Sequence, residues 1–255
     1  MQDLKVTLVQ ANQIWEDKAA NFSNYLRLLE SIHEPIDLVI FPEMFDTGFS
    51  MNVELAEDWD SNTSIKFLVD LAAKKDVAIY TSLMVKENNQ FFNRGVFVYP
   101  TGEIQFYDKR KSFGLGGEDK FFTAGKTESI VEFKGWKLNL QICYDLRFPE
   151  IARNFEVNNV PKYDVLLYVA NWPCKRIEHW KTLLKARAIE NQAFAIGVNR
   201  VGEDPNGLVY TGDSLCADAL GQVTGNSEGQ SIFTTSLSKF TLTNTRSSLP
   251  FLKDY

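Results

Sequence analysis

Three residues of chemically useful type, Glu43, Lys109 and Cys143, each stand where a short apolar run gives out. Cys143 closes Leu138-Asn139-Leu140-Gln141-Ile142 and leads at once into Tyr144-Asp145-Leu146-Arg147-Phe148-Pro149-Glu150, which reads as a sharp turn into a helix. A strand-to-helix junction lifts a side chain out of a packed sheet and sets backbone N–H groups beside it, where developing negative charge is best held. The plain alternative is a small core thiol after a buried strand. Asp37 to Phe41 likewise runs into Pro42-Glu43, so a carboxylate sits at a strand end, as a functional acid or as the cap of the next element. Asn93 to Tyr99, the turn Pro100-Thr101-Gly102-Glu103 and Ile104 to Tyr107 read as a hairpin that delivers Asp108-Lys109-Arg110-Lys111 to a similar position. A solvated basic face is the other reading of that run.

Together these residue types form a working set. A thiol with a reference pKa of about 8.5 needs a base to act as a nucleophile near neutral pH, and a carboxylate can be that base. An ammonium group stabilises both the thiolate and the oxyanion formed when it attacks a carbonyl or nitrile carbon. No histidine is required, and neither of the two present invites the role: His33 lies at an expected helix end, and His179 opens another helix. Gly125-Lys126-Thr127 ends like a phosphate-binding loop, but Lys120 occupies the position of the required glycine, so that cradle is rejected.

In the order and wording of its motifs the chain resembles the nitrilase superfamily of carbon-nitrogen hydrolases, which work with a Glu-Lys-Cys triad. The strings are Phe41-Pro42-Glu43-Met44-Phe45 with Thr47-Gly48-Phe49, Tyr107-Asp108-Lys109-Arg110, and Cys143-Tyr144-Asp145-Leu146-Arg147-Phe148-Pro149-Glu150. They continue through Asn171-Trp172-Pro173, His179-Trp180, Ala186 to Gln192, and Val198-Asn199-Arg200-Val201-Gly202. The resemblance implies a four-layer alpha-beta-beta-alpha sandwich, with Cys143 as nucleophile, Glu43 as base and acid, and Lys109 with the Tyr144 backbone N–H as oxyanion donors. Glu118, nine positions after Lys109, matches the family's second glutamate and is expected in the same proton network. Between them, Ser112-Phe113-Gly114-Leu115-Gly116-Gly117 departs from the His-Leu-Phe wording of relatives.

The wording is most similar to the bacterial omega-amidase branch, which hydrolyses the terminal amide of 2-oxoglutaramate or 2-oxosuccinamate through a thioester; another amidase or N-carbamoyl hydrolase of the superfamily is the alternative. Such a substrate carries a far carboxylate, which suits an arginine fork. Arg176, in the loop before the helix near Ile177, is the first candidate; Arg147 is the second, with a structural ion pair as its other reading. Trp172 is expected either as a pocket wall or as a core aromatic. No metal and no organic cofactor is implied, and the expected partners are a small-molecule amide and further copies of the chain.

Composition agrees with this reading. With 255 residues, 44% of them hydrophobic, and no linker-like stretch, the chain is expected to form one domain over residues 1–255. A net charge of -6 lacks the basic footprint of a nucleic-acid binder. The start has no basic n-region, and its apolar stretch is only strand-length, so neither a signal peptide nor a membrane span is expected. Three widely spaced cysteines, Cys143, Cys174 and Cys216, suit a reducing cytoplasm and make a Cys-based zinc site a poor fit.

Strand and helix patterns alternate along the chain, which predicts layered packing. Strands are expected at Leu4 to Gln10, Leu38 to Phe41, Val77 to Val85, Val165 to Ala170 and Phe194 to Asn199, and closing strands at Leu208 to Asp218 and Ser231 to Ser236. Helices are expected at Asp17 to Ser31, Ser64 to Lys75 and Ile177 to Glu190, the last with Trp180, Leu183 and Leu184 on one face. The tail, residues 237–255, has few apolar runs and reads either as an arm on a neighbouring subunit or as a frayed end.

Overall fold

The computed structural model describes residues 2–225 and 229–254. Two mixed sheets form the middle of the molecule. The first runs, edge to edge, Ser231–Leu237, Leu4–Gln10, Leu38–Ile40, Ala78–Glu87, Gln90–Val98, Ile104–Asp108. The second runs Val223–Thr224, Leu215–Ala217, Phe194–Asn199, Val165–Ala170, Trp136–Ile142, Ile130–Phe133.

Side-chain alternation along the strands of the first sheet sets the layers. Val6, Leu8, Leu38, Ile40, Ala78 and Tyr80 point inward and share one core with Leu138, Leu140 and Leu166 of the second sheet. Val9, Val39 and Ile79 point outward against Tyr25 and Leu29 of helix α1 (Lys18–Leu29) and Leu68, Leu71 and Ala72 of α2 (Thr63–Lys75). The second sheet is covered by Trp180, Leu184 and Ala188 of α3 (Ile177–Glu190). Both sheets are therefore buried on two faces, which is why their strands read as nearly continuous apolar runs. The result is the four-layer sandwich. Caps fix the helix starts: Asp17 accepts the Ala20 N–H at 2.9 Å, and Asn62 accepts those of Ser64 and Ile65 at 3.0 Å.

Three expectations need correction. The single closing strand from Leu208 to Asp218 is two strands in different sheets, Val209–Thr211 and Leu215–Ala217, because Gly212 and Asp213 both adopt positive φ (81° and 55°) and break the pleat. The helix after Cys143 is a five-residue 3-10 turn, Cys143–Arg147, followed by another over Pro149–Ile151. The tail is no frayed end: Lys239–Ser248 forms helix α4, capped by Ser238 and packed on the core of its own chain through Leu242, and Leu252 in the turn beyond it is also buried. Among the described residues no helix is long and apolar enough to cross a membrane.

Polar contacts also dock α4. Arg246 donates to Asp164 Oδ1 at 2.7 Å and to the carbonyls of Gln192 and Tyr163 at 2.8 Å, and Lys239 pairs with the other Asp164 oxygen. Burial by itself would raise the Asp164 carboxyl, but Lys239 and Arg246 outweigh it and hold it below the ordinary carboxylate range. A carboxyl whose pKa falls on folding stabilises the fold above its unfolded pKa of about 3.9, and that contribution is lost as pH falls through the depressed folded value. Asp164→Asn should therefore lower the Tm at pH 7 by several degrees, since removing one partner of a largely buried pair costs about 3 kcal/mol. The gap between variant and wild type should narrow towards pH 3. A pH-independent gap in the melting curves would refute the assignment.

Candidate active site

The strand ends expected to carry chemistry, two of them on interior strands, converge to one place beside the two sheets. Glu43 follows Leu38–Ile40 by three residues, Lys109 directly follows Ile104–Asp108, and Cys143 directly follows Trp136–Ile142. Glu43 caps no helix, and Lys109 lies on no solvated face: the carboxylate is wholly buried and the lysine is 3% exposed. Lys109 Nζ lies 2.8 Å from Glu43 Oε1 and 2.9 and 2.8 Å from the two oxygens of Glu118, itself fully buried. The structure therefore brings Glu118, which the resemblance singled out, onto Lys109 and beside Glu43. Phe113 N–H donates to Glu118 Oε2 at 2.6 Å, so the loop whose wording departs from relatives still closes on this carboxylate. Gly125 backs the lysine: a Cβ there would lie 2.1 Å from the Asp108 carbonyl oxygen, so only glycine allows the two backbones to meet.

Several contributors were not singled out from sequence. Asn93 Nδ2 donates to Glu43 Oε1 at 2.8 Å and to Glu118 Oε1 at 3.0 Å. The Asn171 backbone N–H donates to Glu43 Oε2 at 2.9 Å, while the side chains of Asn171 and Gln13 grip the Glu43 carbonyl at 2.6 and 2.9 Å. Asp145 accepts from Ile142 N–H, Tyr107 hydroxyl and Lys111 N–H at 3.0, 2.8 and 3.0 Å, tying the cysteine turn to the lysine loop. A polar residue inside an apolar strand, as Asn93 is, was the available signal.

Cys143 has φ of 44°, a region that non-glycine residues rarely adopt, at the first residue of its 3-10 turn. In that first turn the Tyr144 N–H has no carbonyl of the turn to bond. Burial raises the Cys143 thiol well above its ordinary pKa, the Glu43 charge pushes the same way, and Lys109 only partly opposes them. Burial pulls the Lys109 ammonium down, yet the Glu118 and Glu43 carboxylates reverse that and leave it above the ordinary lysine value. Both shifts favour the protonated thiol and the ammonium, so a proton has to leave sulfur as attack occurs.

Cys143 opens into a cavity of about 420 Å³ whose walls include Trp15, Phe49, Phe113, Tyr144, Trp172 and Tyr210. Trp172 lines this cavity and at the same time belongs to the buried core, with its ring centroid 5.5 Å from that of Trp180. Arg147 and Arg176 both line this cavity. The structural ion pair considered for Arg147 is not found among the described residues: its guanidinium contacts His179 Nδ1 at 3.3 Å and lies 4.6 Å from the Trp172 ring centroid. Arg176, at the end of the short turn Cys174–Arg176, stands 5.4 Å from the Phe113 ring, and its carbonyl accepts the Trp172 indole N–H at 2.8 Å. Burial and then the nearby Arg176 charge pull the Arg147 guanidinium below its ordinary pKa, with Tyr144 and Cys143 acting against them.

Buried carboxylates, an ammonium and a thiol meet at the strand ends of a layered fold, and the chain belongs to the carbon-nitrogen hydrolase family, whose profile matches residues 5–246. Among its relatives, Omega-amidase YafV of Yersinia enterocolitica is 44% identical over 229 residues, covering 89% of this chain and 86% of that protein. The 2-oxoglutaramate amidase of Bacillus subtilis is 34% identical over 198 residues, 76% of this chain and 75% of its own. The solved structure of XC1258 from Xanthomonas campestris, a CN-hydrolase superfamily protein, superimposes with a TM-score of 0.97 at 42% identity, covering 100% of this chain and 98% of that one.

Proposed function

We propose that the chain is an omega-amidase that hydrolyses the terminal amide of 2-oxoglutaramate or 2-oxosuccinamate to the 2-oxo dicarboxylic acid and ammonia. The observation that carries this reading is the pair of guanidiniums, Arg147 and Arg176, in the cavity that holds the Cys143 thiol. Two nearby cations held by aromatic rings rather than carboxylates are matched to an anionic substrate end. The relatives named omega-amidase and 2-oxoglutaramate amidase support the same substrate class.

In the proposed reaction Cys143 Sγ attacks the amide carbon while Glu43 takes the thiol proton, and Lys109 Nζ and the Tyr144 N–H hold the oxyanion. The C–N bond then breaks as Glu43 returns that proton to the departing nitrogen, releasing ammonia and leaving a thioester. Glu43 next takes a proton from water, the hydroxyl adds to the thioester carbon, and the Cys143 sulfur leaves and is reprotonated. Glu118 orients Lys109. The aromatic walls exclude bulk water, which strengthens each of these interactions.

Arg176→Ala should lower kcat/KM for 2-oxoglutaramate roughly ten to a hundredfold, the equivalent of about 1.5 to 3 kcal/mol for a charge-assisted contact, while sparing a small neutral amide. Arg147→Ala, measured on the same two substrates, apportions the carboxylate between the two guanidiniums. Equal losses on charged and neutral amides in both variants would remove the anion-binding role. We further place the enzyme in the cytoplasm as a homo-oligomer. Three unpaired cysteines support the reducing compartment, and Phe240 and Phe251, 63% and 56% exposed on the tail, support a surface that meets another copy. Sedimentation of wild type and of a Phe240→Ser, Phe251→Ser variant distinguishes the assembly from a monomer.

A further inference from the structure

Glu43 and Glu118 share one lysine, so the buried cluster carries two carboxylates against a single ammonium. Lys109 Nζ lies within hydrogen-bond distance of both of them, at 2.8 to 2.9 Å from three of their oxygens. Asn93 is the neutral side chain that also reaches both carboxylates, with one amide hydrogen for each at 2.8 and 3.0 Å. Its orientation is fixed by those partners, because turning the amide would set its oxygen against two carboxylate oxygens. The same residue's backbone carbonyl accepts the Lys109 N–H at 3.0 Å. Asn93 lies on Gln90–Val98, sixteen positions before the lysine, and is 2% exposed.

We propose that Asn93 is a positioning residue for the amidase reaction: it clamps Glu43 Oε1 beside Glu118 and leaves Oε2, held by the Asn171 N–H, as the oxygen that exchanges the proton with Cys143. A carboxamide is suited to this place. It supplies two donors without a second cation, which would lower the basicity of Glu43, and without a third carboxylate, which would raise it. The ionisable groups around Glu43 are Lys109, Glu118, Cys143 and the Tyr80 phenol. Only the two glutamates contact the Asn93 amide. The inference rests on Glu43 being the base.

The test is the pH profile of kcat/KM for Asn93→Ala and for the isosteric Asn93→Asp, measured with Tm and beside Glu43→Gln. Loss of the clamp should move the acid limb up by about one pH unit in Asn93→Ala, because a hydrogen bond to the charged form is gone, and further in Asn93→Asp, where a like charge replaces it. kcat should fall tenfold or more while KM stays within twofold. If Asn93→Ala does not fold, Asn93→Asp keeps the volume and is read by the same limb. An unshifted limb in a folded Asn93 variant, with Glu43→Gln inactive, would overturn the role of Asn93 alone. A Glu43→Gln enzyme that retains the wild-type limb would overturn the base assignment and this role together.

Discussion

Cys143→Ala should abolish amide hydrolysis, a loss on the order of a millionfold, which is the scale seen when a covalent catalyst loses its nucleophile. The fold should survive, because the side chain is small and Glu43, Lys109 and Glu118 keep the hydrogen bonds they make with one another and with Asn93. With a slow substrate the wild-type enzyme should carry an acyl adduct on the peptide containing Cys143, and the variant should carry none. The other thiols provide the controls. Cys216 is 2% exposed and pushed up to about 12 by burial, so it should stay unmodified, whereas Cys174 is half-buried and reachable by small alkylating reagents. Acyl mass found on Cys174 or Cys216 in place of Cys143 would end the nucleophile assignment.

Glu43→Gln should damage both halves of the reaction, by roughly a hundred to ten thousandfold each, the usual contribution of a positioned acid or base. The substitution keeps the shape but not the hydrogen-bond pattern. Glu43 accepts from Lys109 and Asn93 at one oxygen and from the Asn171 N–H at the other, so a carboxamide must turn its NH2 towards at least one donor. That mismatch costs about 1 to 3 kcal/mol, and the Tm should drop accordingly. Activity and stability separate in the half-reactions. An activated ester, whose leaving group needs no proton, should acylate Cys143 in the variant faster than the amide does but more slowly than in wild type, since the thiol still lacks its base, and acyl-enzyme should then accumulate because water activation has been lost. A Glu43→Gln protein that melts early but hydrolyses the amide at a normal rate would show that this carboxylate only supports the fold.

The raised Cys143 thiol bears on both results. A site that kept a standing thiolate would need no base in the first step. Here burial and the Glu43 charge favour the protonated thiol, so proton transfer and carbon–sulfur bond formation have to be coupled.

The features legible in the chain before folding were local ones. Glu43, Lys109 and Cys143 each follow an apolar run, and such runs end where a strand leaves the core; that placement needed only periodicity and the residue types at the exits. The motif wording extended it to Glu118 and to the layered class of fold, and the helices over 18–29, 63–75 and 177–190 carried ordinary start and stop signals. Tertiary structure alone decided the rest, because it depends on contacts between distant positions. Asn93 meets Glu43 across 50 residues and Asn171 meets it across 128, and no spacing rule relates such pairs. The state of Arg147 depended in the same way on what stood opposite it: His179 and Trp172 did, and a carboxylate did not. The C-terminal helix gave no strong apolar signal because much of its docking is polar, through Arg246 and Lys239 onto Asp164, and hydrophobic periodicity cannot report an element held by ion pairs.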